Sequence, residues 1–283
     1  MQKSAVWIMS LPGGWSNLEG MTTHSHTLKA LHEAPEILRL VNVWDAVATK
    51  VVAANPATRA IATAGHSIAA SHGYPDGQKI PFDLLLAALE RIVKATELPV
   101  TADLDAGFGG DPEDLAKVRE NVRRVVALGV VGLNVEDRME SLDKAQARMG
   151  AVLLGAQDEG VDLVLNARTD AVLKPGDLSG EDATQEAIVR GRAYLELGAT
   201  CVFVPGVLDA TRTTALVEGI GLRKISVIGL PGALSASEYQ ALGVARISYG
   251  PMTQNVALTS LKRLAEALYD DGVIPMDTER LNS

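Results

Sequence analysis

From Thr27 onward, short runs of β-branched and aliphatic residues alternate with longer stretches whose apolar positions recur at helical spacing. The runs Ile37–Val43, Ala60–Thr63, Val100–Asp105, Gly132–Glu136, Leu163–Ala167, Cys201–Val204, Ile225–Ile228 and Ala245–Ser248 predict strands. Between and after them, Ala46–Ala54, Phe82–Ala95, Pro112–Leu128, Leu142–Glu159, Glu181–Leu197, Thr211–Gly219, Ala236–Leu242 and Met252–Tyr269 predict helices. Such alternation implies a parallel α/β sheet, and eight repeats favour closure into a (β/α)8 TIM-type barrel over an open doubly wound sheet. No low-complexity linker interrupts the pattern, so 22–283 reads as a single barrel domain. Residues 1–21 carry too short an apolar run for a secretory signal and read as a flexible N-terminal extension, with Met21 as an alternative start.

Composition narrows the partners. The chain is 47% hydrophobic but only 4% aromatic, so its core must be built from Ala, Val, Leu and Ile. A net charge of -9 argues against nucleic acid or an anionic membrane surface, both of which demand a basic face. Cys201 is the single cysteine; it excludes an intramolecular disulfide and a Cys-rich zinc site and fits a reducing cytoplasm. No apolar run approaches the roughly 20 residues of a membrane span.

Barrel enzymes place their chemistry at the C-terminal ends of the strands. The third predicted strand runs into Asp103-Leu-Asp105-Ala-Gly107-Phe-Gly109-Gly110, and strand alternation would point both carboxylates to one side. Two like charges that close repel unless a cation lies between them, and hard oxygen ligands suit Mg²⁺ or Mn²⁺. The same residues could instead serve turn and cap chemistry for a helix starting at Asp111-Pro112-Glu113. The fourth strand ends in Asn134-Val-Glu136-Asp137, the fifth in Asn166-Ala-Arg168-Thr-Asp170, and the turn after the second reads Ala64-Gly65-His66-Ser67. Carboxylates, amides and one arginine thus converge on one rim. Arg168 offers a planar fork matched to a substrate carboxylate, or an interior ion pair with Glu136 or Asp170. His66 could donate to a substrate oxygen or be merely exposed. Tyr249 reads more simply as a space-filling rim residue, and Cys201 as a small buried hydrophobe.

With GYPDG (Gly73–Gly77), TADLDAGFGG (Thr101–Gly110), NVED (Asn134–Asp137) and NARTD (Asn166–Asp170) in that order, the chain resembles the isocitrate lyase and phosphoenolpyruvate mutase superfamily. The resemblance implies a metal site of Asp76, Asp103, Asp105 and Glu136, with Mg²⁺ as cofactor and Mn²⁺ as an alternative. It implies substrate binding by Arg168 and by the turn of Ala64, Gly65 and His66. Trp44 joins them through NVWDA (Asn42–Ala46), which looks like the family's first strand and turn. The expected reaction is cleavage of a bond to C3 of a small 2-oxo or 2-hydroxy carboxylate, with the metal taking up the charge of the enolate. Candidate catalytic residues are Arg168, Glu136 and Lys144.

Departures from the family restrict the chemistry. The Cys-Gly-His type loop of isocitrate and methylisocitrate lyases is absent, the segment reading Arg138-Met-Glu140-Ser-Leu-Asp143-Lys144. After the sixth strand stands Val204-Pro205-Gly206, where phosphoenolpyruvate mutases carry a His, and Ala64 replaces their serine. The charged stretch 137–150 is expected to gate the pocket and to supply a general acid, unless it is an ordinary solvated turn. A phosphonomutase and a barrel that binds Mg²⁺ and an oxo acid without turnover remain as alternatives. The resemblance also implies a homo-oligomer, dimer or tetramer, with the last helix exchanged between subunits; Val256, Leu258, Leu261, Leu264 and Leu268 give that helix an apolar face.

Overall fold

The structure is a computed structural model that describes residues 14–111 and 113–281. Nine parallel strands in those residues form one sheet: β1 (Leu38–Leu40), β2 (Asn42–Val43), β3 (Ile61–Thr63), β4 (Val100–Asp103), β5 (Gly132–Glu136), β6 (Val164–Arg168), β7 (Cys201–Phe203), β8 (Ile225–Ile228) and β9 (Arg246–Ser248). β1 pairs with β9 while β2 pairs with β3, so the two short strands are halves of one barrel stave and the sheet closes on itself. The eight-fold barrel expected from the sequence is therefore present.

The first stave is where the sequence pattern and the structure differ. The expected continuous strand Ile37–Val43 breaks at Val41, because its two halves bond to opposite neighbours. Asn42 stitches the seam. Its Nδ2 donates to Thr63 O at 2.8 Å, and its Oδ1 accepts from Tyr249 N at 2.7 Å and Gly250 N at 2.8 Å.

Helices α2 (Ala46–Ala53), α4 (Phe82–Val93), α5 (Leu115–Ala127), α6 (Leu142–Asp158), α7 (Gly180–Glu196), α8 (Ala210–Ile220) and α9 (Ala236–Ala241) wrap the sheet, α4 to α8 each burying several apolar side chains while α2 buries Thr49 and α9 Tyr239. In α4 the stripe is Leu85, Leu86, Leu89 and Ile92, all buried. α5 and α6 approach so closely that a Cβ on Gly155 would stand 2.5 Å from Arg119 O. The expected start of α5 at Pro112 lies outside the described residues; the helix begins at Leu115, and Asp114 caps it by accepting from Ala116 N and Lys117 N.

Two helices are not visible in the sequence pattern. α3 (Gly65–Ser71) is one short turn pair directly after β3. α1 (Gly14–Glu33) begins inside the stretch 1–21 read as a flexible extension, and corrects it: Met21 and Leu28 are buried. Residues 1–13 of that stretch lie outside the described residues. Leu28 packs against Gly132 at the start of β5, and Ser25 hydroxyl bonds to Asp162 O just ahead of β6, so α1 covers the barrel end opposite the strands' C-termini. The final helix, α10 (Met252–Asp270), leaves Val256, Leu258 and Leu261 exposed. No helix in the described residues is long and apolar enough to cross a membrane.

Candidate active site

β4 ends at Asp103, two residues short of its expected end. Asp105 therefore reaches the site by a different route from strand alternation: it sits in a left-handed turn with φ 46°, followed by Gly107 at φ 88°. This turn is pinned to the neighbouring strand, since Leu104 N donates to Asn134 O at 3.1 Å and Glu136 N to Asp105 O at 2.8 Å. Asp103 is fixed from the other side, its Oδ2 accepting from Gly65 N at 3.0 Å. The approach is close: a Cβ on residue 65 would stand 3.2 Å from Asp103 Oδ2 and 3.5 Å from Asp105 Oδ1. The segment bearing Asp76 is tied in through Gln78, whose Oε1 accepts from Phe108 N at 2.6 Å.

These acids act on one another. Burial and then the charges of Asp103, Glu136 and Asp76 push the Asp105 carboxyl up to about 8. Burial likewise raises Asp103 and Glu136, with the Arg168 guanidinium pulling both back. Carboxyls that resist ionising together are what a hard divalent cation would relieve, and their oxygen donors suit Mg²⁺ or Mn²⁺. Among the described residues no three His, Cys, Asp or Glu are close enough to ligate one ion at once. The donor set therefore fits an ion held by one or two carboxylates, with water completing the shell, as Mg²⁺ tolerates.

Arg168 ends β6 directly beside Glu136 in the ladder. Both ion pairs considered from sequence exist together: Nη1 lies 3.0 Å from Glu136 Oε2, and Nε 2.7 Å from Asp170 Oδ1. Asp170, fully buried, also takes Lys174 Nζ on its other oxygen at 2.6 Å. Among the described residues the Nη2 of Arg168 has no hydrogen-bond or ion-pair partner, which leaves it as a donor for a ligand. Lys174 was missed in the sequence, although its spacing of four from Asp170 places it one helical turn on.

Other expected residues stand further from this cluster. Ala64 is buried at the start of α3, and the Gly65 amide is engaged by Asp103. His66 is exposed, with Nδ1 3.3 Å from Asp76 Oδ2. Trp44 lines a separate apolar cavity of about 380 Å³ with Val47, Val51 and Thr253. Lys144 lies exposed in the first turn of α6. The gating stretch 137–150 is corrected in extent: only 137–141 is a connection, and α6 occupies the rest. That connection is held down by Arg148, fully buried, which bonds Glu140, Glu113 and the Glu136 carbonyl. Cys201 is buried, donates to Asn166 Oδ1 at 2.9 Å, and has its thiol pushed up to about 11 by burial.

Residues 28–269 match the family model described as phosphoenolpyruvate phosphomutase. The chain belongs to that family. Within this phosphomutase family, the chain is similar to a Burkholderia cenocepacia protein provisionally assigned as a phosphonomutase. That solved structure is 35% identical, with 86% of this chain and 99% of that one covered at a TM-score of 0.80. It is also similar to the oxaloacetate decarboxylase of Rhodopseudomonas palustris, 28% identical over 278 residues, 95% of this chain and 90% of that one. The 2-methylisocitrate lyase of Halalkalibacterium halodurans is 25% identical over 281 residues, 94% of this chain and 87% of that one. The phosphomutase family thus joins lyases and mutases in one superfamily, as the four motifs implied.

Proposed function

We propose that this chain cleaves a bond to C3 of a small 2-oxo or 2-hydroxy carboxylate, with Mg²⁺, or Mn²⁺ in its place, as cofactor. The observation that carries this reading is the gathering of Asp103, Asp105, Glu136 and Arg168 at the ends of three adjacent strands, close enough for their charges to act on one another. A divalent cation bound there would take up the negative charge that develops on the substrate's 2-oxo oxygen as the bond breaks. Arg168 holds the substrate carboxylate through its free Nη2, while Glu136 and Asp170 keep its plane fixed. The rim after β7 and β8 reads Val204-Pro205-Gly206 and Ile228-Gly229-Leu230-Pro231, which offers no charge to a second large anionic group. Activity of the similar decarboxylase and lyase on carboxylic acids supports the same substrate class.

The test is turnover by purified protein with MgCl₂ on a panel of oxaloacetate-like acids, followed by release of the keto product. We expect turnover that EDTA abolishes and added MgCl₂ restores. Inertness on the whole panel, with EDTA changing neither stability nor oxalate binding, would overturn the reading.

A phosphonomutase is the second reading, favoured by the 35% identical Burkholderia structure. Val204-Pro205-Gly206 in place of a His after β7 counts against it. Phosphorus NMR of protein incubated with phosphonopyruvate separates the two. We also propose the cytoplasm as compartment, on the acidic balance and the single buried Cys201.

A further inference from the structure

Asp137 follows Glu136 at the end of β5 and is fully buried, yet it faces away from the acid cluster into a set of four donors. Its Oδ1 accepts from Met139 N at 3.0 Å and from Asp170 N at 3.1 Å. Its Oδ2 accepts from Tyr194 Oη at 2.9 Å and from Arg190 Nη1 at 3.2 Å, both on α7. Its own amide donates to Arg168 O at 3.0 Å. One side chain therefore ties together the connection after β5, the strand end that carries Arg168, and the helix behind them.

Two features show that this knot holds something against resistance. Arg138 and Met139 are consecutive non-glycine residues at φ 53° and 56°, a conformation L side chains adopt at a cost of order 1–3 kcal/mol each. Asp137 holds this turn twice, its Oδ1 accepting from Met139 N and its backbone carbonyl from Glu140 N at 3.0 Å. The second feature is the relay to Arg168. Asp137 fixes the Asp170 backbone, the Asp170 carboxylate fixes Arg168 Nε, Glu136 takes Nη1, and Nη2, unpartnered among the described residues, is left to face a ligand. Among the described residues, neither Tyr194 nor Arg190 hydrogen-bonds Asp103, Asp105, Glu136 or Asp170, and both reach the site through Asp137.

We propose that Asp137 and Tyr194 are positioning residues that set the direction of the Arg168 guanidinium. The proposal rests on Arg168 being the donor for the substrate carboxylate. Without the Tyr194 hydroxyl, the Asp137 carboxylate is free to rotate toward Arg190, and the Asp170 amide loses its fixed acceptor. Arg168 then samples directions in which Nη2 no longer meets a carboxylate.

The test is Tyr194→Phe, which removes one oxygen and keeps the ring, in the full chain. Two readouts are taken. One is oxalate binding by calorimetry in MgCl₂, compared with MgCl₂ binding alone. The other is hydrogen exchange at the Arg168 Nε–H resonance, assigned by its loss in Arg168→Lys. We expect oxalate affinity to fall five-fold or more and exchange at Nε–H to quicken by a similar factor, while MgCl₂ affinity stays within two-fold. The effect of Tyr194→Phe on oxalate should vanish in an Arg168→Gln background. A lower melting temperature with unchanged oxalate affinity and unchanged Nε–H exchange would show a purely structural role and overturn the proposal. Should wild-type protein bind no oxalate at all, the proposed function falls instead, and faster or unchanged Nε–H exchange still decides the direction-setting role. Asp137→Asn provides the second variant, expected to shift both readouts further in the same direction.

Discussion

Arg168 Nη1 stands 3.0 Å from Glu136 Oε2, side by side in the β5–β6 ladder. The pair is partly buried, and burial of Glu136 on its own would push its carboxyl well up; the guanidinium is the chief force holding it down. Arg168 thus has two tasks, neutralising the acid wall and presenting Nη2 outward. Arg168→Gln should therefore weaken oxalate binding in MgCl₂ by about 10- to 100-fold, the value of a charge-assisted hydrogen bond of roughly 1.5–3 kcal/mol. It should also lower the melting temperature of metal-free protein, with MgCl₂ recovering part of the loss. Unchanged oxalate affinity in calorimetry would remove Arg168 from the binding machinery.

Gly65 makes a second, narrower prediction. Its amide bonds Asp103, and a methyl group at this position would lie 3.2 Å from Asp103 Oδ2, tighter than ordinary van der Waals contact. Because Gly65 is not in a left-handed conformation, Gly65→Ala should fold; the strain falls on the Asp103 carboxylate. MgCl₂ affinity should drop by about ten-fold, in line with loss of an outer partner of a metal ligand. Titration calorimetry of the variant against wild type checks it, and equal affinities would show that Asp103 does not hold the ion.

How these residues could be read from sequence depended on what kind of order placed them. The barrel was legible because β5 and β8 are bounded by glycine or polar turns and their apolar runs match their structured length residue for residue. The convergence of Asp103, Glu136 and Arg168 followed from fold class alone, since each ends a strand. Asp105 was assigned to the right place for the wrong reason: alternation would have aimed it, but the strand stops at Asp103 and a positive φ does the work. α1 was missed because its apolar residues are interrupted between Met21 and Leu28 by a run of Thr, His and Ser that breaks the helical period. The Asp137 to Tyr194 bond was invisible because it joins side chains 57 positions apart whose meeting only tertiary structure fixes, whereas Lys174, four residues from Asp170, lies within reach by local spacing and carried no motif to single it out.

His32 predicts a pH dependence of stability unrelated to the site. It is buried in α1 with Nδ1 2.7 Å from Leu28 O, and burial, then the charge of Arg246 and those of Lys224 and Arg223, lowers its imidazole to about 3. The unfolded chain binds a proton there near the ordinary value of 6.5, so between about 6.5 and 3 the unfolded state holds more protons than the folded one. Stability should therefore fall as pH drops through this window, by up to about 1.4 kcal/mol per pH unit from this group. Urea unfolding at pH 7.5, 5.5 and 4.5 should show a steeper loss in wild type than in His32→Gln. Parallel curves would mean that His32 is not held neutral.

The last helix gives a prediction about assembly. On α10, Val256 is 65% and Leu261 60% exposed, although both sit at helical spacing with half-buried Leu264 and Leu268. An apolar stripe of this kind, left in water, forgoes roughly 1.5–3 kcal/mol for each large side chain that could be buried. A groove of about 650 Å³ runs over β1, lined by Leu31, Ile37, Leu38 and Val41 together with the polar Glu36, Arg39, Arg59 and Gln240. The exchanged helix implied by the family resemblance would cover the apolar stripe with a second copy. Light scattering should then give the mass of a dimer or tetramer for wild type. The double variant Val256→Lys with Leu261→Lys should shift the mass to that of a single chain and lower the melting temperature, since the apolar stripe loses its cover. A wild-type mass of one chain, or a variant that assembles as wild type does, would rule this arrangement out.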